Sequence, residues 1–243
     1  MRRAAKAAIW HEVECGGYAA DIPAWEGLAD DAAGPVLELG CGVGRVALRL
    51  AGRDREVWAV DADASLLEAL QARASAQGHS VRATCADVCA LDLRRAFELI
   101  LAPMQLLQML GSASARHAAL ERAASHLAPG GRLAAAIVQP FSASLDGQGA
   151  AIPDVRELDG WVYSSLPVAC VTAAGGLEIR RHRQAVSPDG ALSEEEHTDR
   201  LDALDASALE AEAVSLGLRP AGRLEVPPAD GYLGSTVVVM ERP

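Results

Sequence analysis

The sequence predicts an α/β protein with a doubly wound, mostly parallel seven-stranded sheet and helices on both faces. The first observation is that short apolar runs alternate with longer helix-forming stretches between about residues 35 and 138. This alternation is typical of parallel strands joined by right-handed crossovers. The second is that the first apolar run, Val36–Leu39, ends in a glycine-rich turn. The third is a length of 243 residues, 50% of them hydrophobic, which is enough for one large core.

Helices and strands follow in a regular order up to Val138. Two helices, at 2–14 and 19–30, precede the first strand. Gly78 and the segment Pro129-Gly130-Gly131 end two of the later helices, because glycine readily adopts the conformation that follows a helix. The predicted strands are 35–39, 56–60, 80–84, 97–102 and 131–138, and the predicted helices between them are 43–52, 64–77 and 113–126.

The pattern changes after Val138. A polar loop is predicted at 141–156, and antiparallel strands are predicted between 160 and 200. Gly175-Gly176 and residues 187–190 are turn sequences that separate those strands. A helix at 205–216 and strands at 218–225 and 234–241 follow.

Composition excludes several classes of function. The net charge of −11 and the pI near 5.0 predict a surface that repels nucleic-acid phosphates, so no nucleic-acid partner is expected. Lys6 is the only lysine, which excludes a Schiff-base lysine, a Walker A loop and a Tyr-x-x-x-Lys dehydrogenase motif. No apolar run approaches the ~18 residues of a membrane span, so no membrane partner is expected.

Cysteine usage favours a reducing, cytoplasmic location. The chain has five cysteines, an odd number, and no pair of them has the spacing of a zinc finger. We interpret them as small buried side chains. They stand at positions 15, 41, 85, 89 and 170.

A nucleotide-shaped pocket is predicted where the first two strands end. Gly40 and Gly42 let the backbone approach a ligand closely, because glycine has no Cβ. Asp61 ends the second apolar run, where a carboxylate can accept both hydroxyls of a ribose. The carboxylate of Glu38 would repel a pyrophosphate but suits a cationic amino-acid group. S-Adenosylmethionine (SAM), which carries an ammonium and a sulfonium but no phosphate, therefore fits the pocket better than a dinucleotide.

In these motifs the chain resembles the class I SAM-dependent methyltransferases. The segment 36–44 matches the first motif of that family, and Asp61 matches the acid at the end of strand two. The segment 85–88 is similar to the motif that sets an acid against the adenine amino group. The segment 97–103 is similar to the strand that borders the methyl group, and 127–133 resembles the turn before strand five.

The resemblance implies which residues bind the cofactor. Ala62 and Val88 are expected to flank the adenine with apolar surface, whereas Asp63 is interpreted as the cap of the helix at 64–77. For Gly44, close helix packing and cofactor contact are equally favoured. The expected SAM-binding residues are Glu38, Gly40, Gly42, Gly44, Asp61, Ala62, Asp87, Val88, Ala102 and Pro103.

The family also gives the flanking segments a role. Many similar small-molecule methyltransferases roof the substrate site with N-terminal helices and with strands inserted after strand five, and their last strand is antiparallel. We therefore expect one domain with an N-terminal helical lid (1–34), a SAM-binding core (35–140), a β-rich cover (141–200) and a C-terminal helix with two strands (201–243). The expected partner is a small-molecule acceptor, such as a natural-product intermediate, methylated on oxygen or nitrogen. A homodimer is left open.

Three side chains are candidates for a general base, because they lie in the predicted lid or cover. They are His11, Tyr18 and His197. His79, His117 and His126 lie on or beside crossover helices and are interpreted as structural. A family member that acts on sugar amines can carry a histidine close to Gln108, but this chain has Met109 there.

Two clusters of charged residues are not interpreted as binding sites. In the run 180–183, Arg181 and Arg183 share one face of a strand, and a solvated sheet face is favoured over an anion site. The acidic run at 194–196 with His197 suggests a metal only weakly. Catechol-type relatives use Asp-Asp-Asn around magnesium, and this chain has no asparagine, so no metal is expected.

Two alternatives remain at the level of sequence. An NAD(P)-dependent oxidoreductase is weakened by Glu38 and by the missing Tyr-Lys pair. A non-catalytic SAM-fold binding or scaffold protein stays open, because no general base is obvious.

Overall fold

Strands and helices alternate along the first half of the chain, as the sequence predicts. The structure is a computed structural model that describes residues 3–139, 152–173, 175–229 and 231–243. The first range contains α1 (Arg3–Cys15), α2 (Ile22–Asp30), β1 (Val36–Leu39), α3 (Arg45–Ala51), β2 (Val57–Asp61), α4 (Ala64–Gln77), β3 (Val81–Cys85), a 3-10 helix (Val88–Ala90), β4 (Phe97–Ala102), α5 (Leu106–Met109), α6 (Ala113–His126) and β5 (Leu127–Ile137). The later ranges contain β6 (Asp154–Leu158), β7 (Trp161–Ala173), β8 (Gly176–Val186), β9 (Leu192–Asp202), α7 (Ala206–Ser215), β10 (Arg219–Val226) and β11 (Ser235–Glu241).

A seven-stranded sheet forms the centre, in the order β10-β11-β5-β4-β1-β2-β3. The strands from β1 to β5 pair in parallel, whereas β11 is antiparallel to both of its neighbours. This confirms the predicted mostly parallel, doubly wound sheet with an antiparallel last strand. The strand order reverses beside β1, and in such sheets ligands bind at the carboxyl ends of the strands at this point.

Helices cover both faces of the central sheet. Trp25 of α2 and Leu70 of α4 are fully buried in the apolar cluster on one face, and Leu120 of α6 and Leu209 of α7 are fully buried in the cluster on the other. Polar side chains cap the first turns of α4, α6 and α7. Asp205, for example, accepts a hydrogen bond from the backbone N–H of Ala208 at 2.8 Å.

The inserted strands form a separate antiparallel sheet in the order β6-β7-β8-β9, which we call the cover sheet. One end packs through Leu177 and Leu201 against Val138, directly after β5. The other end packs through Tyr163 against Trp10 of α1. The cover sheet therefore extends from the end of β5 to the N-terminal helix.

Three details differ from the sequence prediction. The segment predicted as a turn before strand five is part of β5, because Leu127 pairs with Phe97 and the Gly130 N–H donates to the Arg242 carbonyl oxygen. The predicted loop at 141–156 lies mostly outside the described residues, and its last part is strand from Asp154 onward. The 3-10 helix and α5 were not predicted, since three and four residues carry no periodic signal.

Candidate active site

The turn after β1 and the end of β2 meet as predicted from the glycine and acid motifs. Gly42 has a φ of 54°, in the left-handed region that favours glycine, and a Cβ there would overlap the imidazole of His11. Asp61 accepts hydrogen bonds from the N–H of Gly42 at 2.8 Å and from the N–H of Asp63 at 3.0 Å. The carboxylate is thereby fixed beside the turn, and each oxygen retains acceptor capacity for a ligand.

The other predicted cofactor residues lie around this turn or at neighbouring strand ends. A Cβ at Gly40 would meet Leu106 at 2.7 Å, and one at Gly44 would meet Leu70 at 2.8 Å, so Gly44 allows close helix packing. Asp63 caps α4 through the N–H of Ser65, as expected. Ala62 and Asp87 are exposed, and Val88, Ala102 and Pro103 are buried at the ends of their elements.

The connection after β4 has an unusual backbone. Met104 and Gln105 follow Pro103 with φ values of 50° and 59°, and neither is a glycine. Such residues cost about 1–3 kcal/mol each and occur preferentially at functional sites. The buried amide of Gln108 secures the next turn, because its Nε2 donates to the carbonyl oxygens of Val138 and Asp202 at 3.0 Å each. The segment that follows β4 is therefore held in a strained form at the same end of the sheet.

Glu38 is buried at the base of the glycine turn. It is 3% exposed, and its Oε2 atom has no hydrogen-bond partner among the described residues. Burial raises the pKa of this carboxyl to about 8, against the opposing effect of the Arg45 cation. The neutral acid is thus favoured in the free chain at neutral pH, and a cationic ligand group would favour the ionised form.

Glu38 makes the stability of the free chain depend on pH. Its folded pKa of about 8 lies above the ordinary value of 4.5, so its contribution is fully present below pH 4.5 and is lost as the pH rises through 8. Relative to Glu38→Gln, the wild-type free energy of unfolding should fall by about 1.4 kcal/mol per pH unit across that window. Urea denaturation of both proteins over the window measures the difference. If the free energy of unfolding changed with pH in the same way in both proteins, Glu38 would be ionised in the folded chain.

A buried ion pair joins the N-terminal segment to α3. Arg45, the first residue of α3, donates to both carboxylate oxygens of Asp21 at 2.6 and 2.7 Å and to the Tyr18 carbonyl oxygen at 2.9 Å. Asp21 also accepts from the indole N–H of Trp25 at 2.8 Å. Two further pairs connect α2 to α3 and to the turn that follows α3. We call the three pairs the ionic ladder: Arg45–Asp21, Arg49–Glu26 and Arg53–Asp30.

The three candidate bases occupy different environments. His11 lies against Gly42, and burial lowers the pKa of its imidazole, although the nearby Asp61 opposes this shift. Tyr18 is buried with its ring centroid 4.7 Å from that of Tyr232, and burial raises its pKa to about 12. His197 lies on β9, partly exposed, with Nε2 3.1 Å from Asp199 Oδ1. Only His197 pairs with a carboxylate while remaining accessible.

The solvated-face interpretation of the arginine run is wrong for Arg181 and Arg183. Arg183 donates from Nε and Nη2 to the two carboxylate oxygens of Glu14 on α1, each at 2.6 Å, and both side chains are buried. Ser165 of β7 donates to the same carboxylate at 2.7 Å. These hydrogen bonds hold the pKa of Glu14 below its usual value although burial raises it. The face that carries both arginines is therefore the inner face of the cover sheet.

Arg181 is the centre of a second polar group on this inner face. Its guanidinium lies 3.2 Å from Asp154 on β6 and 3.8 Å from Asp199 on β9. Register pairs Arg181 with His197, so these side chains share a face. The Tyr232 hydroxyl donates to Asp154 at 2.8 Å, and its ring contacts Tyr18 next to Arg45. The polar group of the cover sheet thus adjoins the segment that leads to the glycine turn.

Sequence reasoning missed most of this second group. Asp154 falls in the predicted loop, and Tyr232 carries no motif. The alternation of β8 and β9 could have identified the shared face of Arg181, His197 and Asp199, but not its direction. His126 was assigned correctly as structural, since its Nε2 accepts from the N–H of Leu93 at 2.9 Å. Of the five cysteines, Cys41 is buried as expected, whereas Cys15, Cys89 and Cys170 are partly exposed and Cys85 is exposed.

Clusters of metal ligands and membrane-spanning helices are both absent from the part of the chain that the structure describes. Within residues 3–139 and the described parts of 152–243, no group of three or more His, Cys, Asp or Glu side chains could hold a metal ion. In the same part of the chain, no helix is both long enough and apolar enough to cross a membrane.

Comparisons with known proteins show what this sequence and fold are similar to. Residues 36–131 match a family model described as a methyltransferase domain. No protein with curated function matches the sequence. Among solved structures, the chain is 25% identical to the CcbJ methyltransferase from Streptomyces caelestis, with 93% of this chain and 91% of that chain covered and a TM-score of 0.71.

Two further structures share the fold over the whole chain. The SAM-bound CalS10, an amino pentose methyltransferase from Micromonospora echinaspora, has 18% identity, covers 100% of this chain and 98% of its own, and gives a TM-score of 0.73. The sugar N-methyltransferase KedS8 from Streptoalloteichus has 18% identity, with coverages of 100% and 89% and a TM-score of 0.71. Together with the sheet order and the glycine turn beside Asp61, these structures show that the chain has the fold of the class I SAM-dependent methyltransferases, with a match to a methyltransferase domain over residues 36–131.

Proposed function

We propose that the chain transfers the methyl group of SAM to an oxygen or nitrogen of a small-molecule acceptor, such as a natural-product intermediate. The observation that carries this proposal is the glycine turn, with buried Glu38 at its base and Asp61 fixed beside it. The amino pentose and sugar acceptors named for CalS10 and KedS8 support a small polar acceptor. We further propose that the lid, core, cover and C-terminal segments act as one domain.

The residues at the strand ends fit a cationic nucleoside. Glu38 has an oxygen without a partner that can accept from an ammonium, and Asp61 can accept from ribose hydroxyls. Val88 and Ala62 offer apolar surface for a base, with exposed Asp87 beside them. When bound, SAM supplies an electrophilic methyl group and leaves as a neutral thioether. The proposed binding set is Glu38, Gly40, Gly42, Gly44, Asp61, Ala62, Asp87, Val88, Ala102 and Pro103.

Within this proposal, His197 is the general base. Its Nε2 lies 3.1 Å from the Asp199 carboxylate, which favours the tautomer that carries the proton on Nε2. Nδ1 is then the nitrogen that takes a proton from the acceptor. Arg181 holds Asp199 from the other side. The lowered pKa of buried His11 and the raised pKa of Tyr18 make these two candidates weaker bases at neutral pH.

Labelled methyl transfer tests the function and the base together. The chain is incubated with SAM labelled in its methyl group and a set of amino sugars and polyols, and products are identified by mass spectrometry. On the acceptor found, His197→Asn should lower kcat by about 10²–10⁴-fold with little change in KM. His182→Asn is the matched control, because His182 is partly exposed and bonds Glu194 and Glu196 on the face of β8 opposite to Arg181.

Two outcomes contradict these assignments. Equal kcat values for His197→Asn and His182→Asn would exclude His197 as the base. SAM binding without transfer to any acceptor in the set would favour the non-catalytic binding or scaffold protein.

A further inference from the structure

We propose that a groove between α3 and α4 is a second binding site, which takes a small phosphate-bearing anion. The groove has a volume of about 550 Å³, a size typical of small-molecule sites. Gly44 is the one member of the proposed SAM-binding set that lines it. The groove is therefore distinct from the cofactor site, and the proposal does not depend on the proposed function.

Basic side chains line the groove, although the chain as a whole has a net charge of −11. Glu26 is the acidic residue among the lining side chains. A local excess of positive charge in a concave surface attracts anions. Guanidinium groups suit phosphate in particular, because two of their N–H groups match two phosphate oxygens. The basic lining residues are Arg45, Arg49, Arg53, Arg73 and His79.

One wall of the groove is a stripe of arginines on α3 and the turn after it. Arg45, Arg49 and Arg53 follow one another at intervals of four residues, which places them on one face. Like charges at this spacing repel each other. The carboxylates of the ionic ladder offset the repulsion from the side of α2. The same guanidinium groups line the groove.

The ionic ladder leaves most N–H groups of the two outer arginines unused. Arg49 donates from Nε to Glu26 at 2.8 Å, and Arg53 donates from Nη2 to Asp30 at 2.6 Å. A guanidinium has five N–H groups, so each of these arginines retains donors for a ligand. Arg45 differs, because both of its terminal nitrogens donate to Asp21 in a buried pair.

Arg73 on α4 belongs to the opposite wall. Its Nη2 atom lies 2.7 Å from Glu12 Oε2, but this buried oxygen accepts no hydrogen bond among the described residues. The N–H groups of Arg73 are thus not aligned on their carboxylate neighbour. His79 lies against the end of α3, since a Cβ on Gly52 would be 3.0 Å from its Nε2. Unused donors therefore stand on both walls, and an anion with several oxygens can bridge them.

Glu26 distinguishes this site from a purely structural set of ion pairs. If the Arg49–Glu26 pair served only to join α2 to α3, loss of either side chain would have the same effect. In a phosphate site the two changes act in opposite directions. Arg49→Gln removes donors to the anion, whereas Glu26→Gln removes the repelling carboxylate and frees Arg49 Nε.

Calorimetric titration with inorganic pyrophosphate tests the site. We expect each wild-type chain to bind one pyrophosphate, with an affinity that falls as salt is added. Arg49→Gln and Arg73→Gln should each weaken binding by about tenfold, the loss of one charge-assisted hydrogen bond. Glu26→Gln should tighten binding by about threefold. Arg219→Gln is the matched control and should bind as the wild type does, because Arg219 on β10 is 62% exposed, as Arg49 is 63% exposed, and is likewise paired with a glutamate.

A parallel titration with ADP, in the presence of S-adenosylhomocysteine to fill the cofactor site, identifies the source of the phosphate. Tighter binding of ADP than of pyrophosphate, lost in Arg49→Gln, would indicate a nucleotide; equal affinities would indicate a site for the phosphates alone.

Three results would overturn the phosphate site. They are the absence of saturable pyrophosphate binding in the wild type, equal affinities in Arg49→Gln and Arg219→Gln, and weaker binding in Glu26→Gln. The Glu26→Gln result decides the matter even if Arg73→Gln does not fold.

Discussion

Asp21→Ala is expected to lower the free energy of unfolding by about 3–5 kcal/mol, because it leaves the Arg45 cation buried and unpaired. The side chains of Arg45 and Asp21 are 8% and 2% exposed, so water cannot replace the lost carboxylate. The indole N–H of Trp25 loses its acceptor in the same change. Urea denaturation of the wild-type and variant chains measures the difference.

Asp30→Ala is the matched control for this prediction. It removes the last pair of the ionic ladder, Arg53–Asp30, whose side chains are 43% and 53% exposed. Exposed pairs contribute little, because water and salt screen them. We therefore expect no measurable loss of stability for Asp30→Ala. Equal losses in the two variants would mean that burial does not decide the strength of these pairs.

The second large effect concerns the cofactor. Asp61→Ala should weaken SAM binding by about 1–3 kcal/mol, the cost of losing charge-assisted hydrogen bonds to the ribose. This corresponds to roughly 5- to 150-fold in the dissociation constant. Asp61→Asn keeps one oxygen acceptor and should lose less. Calorimetric titration with SAM measures both variants against the wild type.

Asp63→Ala separates ribose binding from local structure. It removes the cap of α4 two residues away and should reduce stability without changing SAM affinity. Unchanged affinity in Asp61→Ala would show that the proposed cofactor pose is wrong.

The core was predictable because its signals are local. The apolar run of β1, the glycines after it and the acid that ends β2 are neighbours in sequence, and parallel strands bring their ends together. The sequence therefore predicted the parallel part of the sheet and the meeting of Gly42 with Asp61, whereas the antiparallel last strand was implied by the family resemblance. The start of β5 was misplaced, because pairing of Leu127 with Phe97 outweighs the turn preference of Pro-Gly-Gly.

The inner face of the cover sheet was not predictable, because its partners are distant in sequence. Glu14 and Arg183 are 169 residues apart. Alternation along β8 identifies which side chains share a face, but a solvated face and an inward face have the same period. Helix α1 determines which face of the cover sheet is the inner one, because it brings Trp10 and Glu14 against one side of the sheet. Residue types alone suggested a solvated arginine run, whereas the structure pairs those arginines with carboxylates.

Calorimetric titration of the wild-type chain with SAM, and separately with NADPH, tests the central claim most directly. The account predicts that each chain binds one SAM at the ends of β1 and β2, and that NADPH produces no binding heat. Tight binding of NADPH without binding of SAM would contradict it and would restore the oxidoreductase alternative.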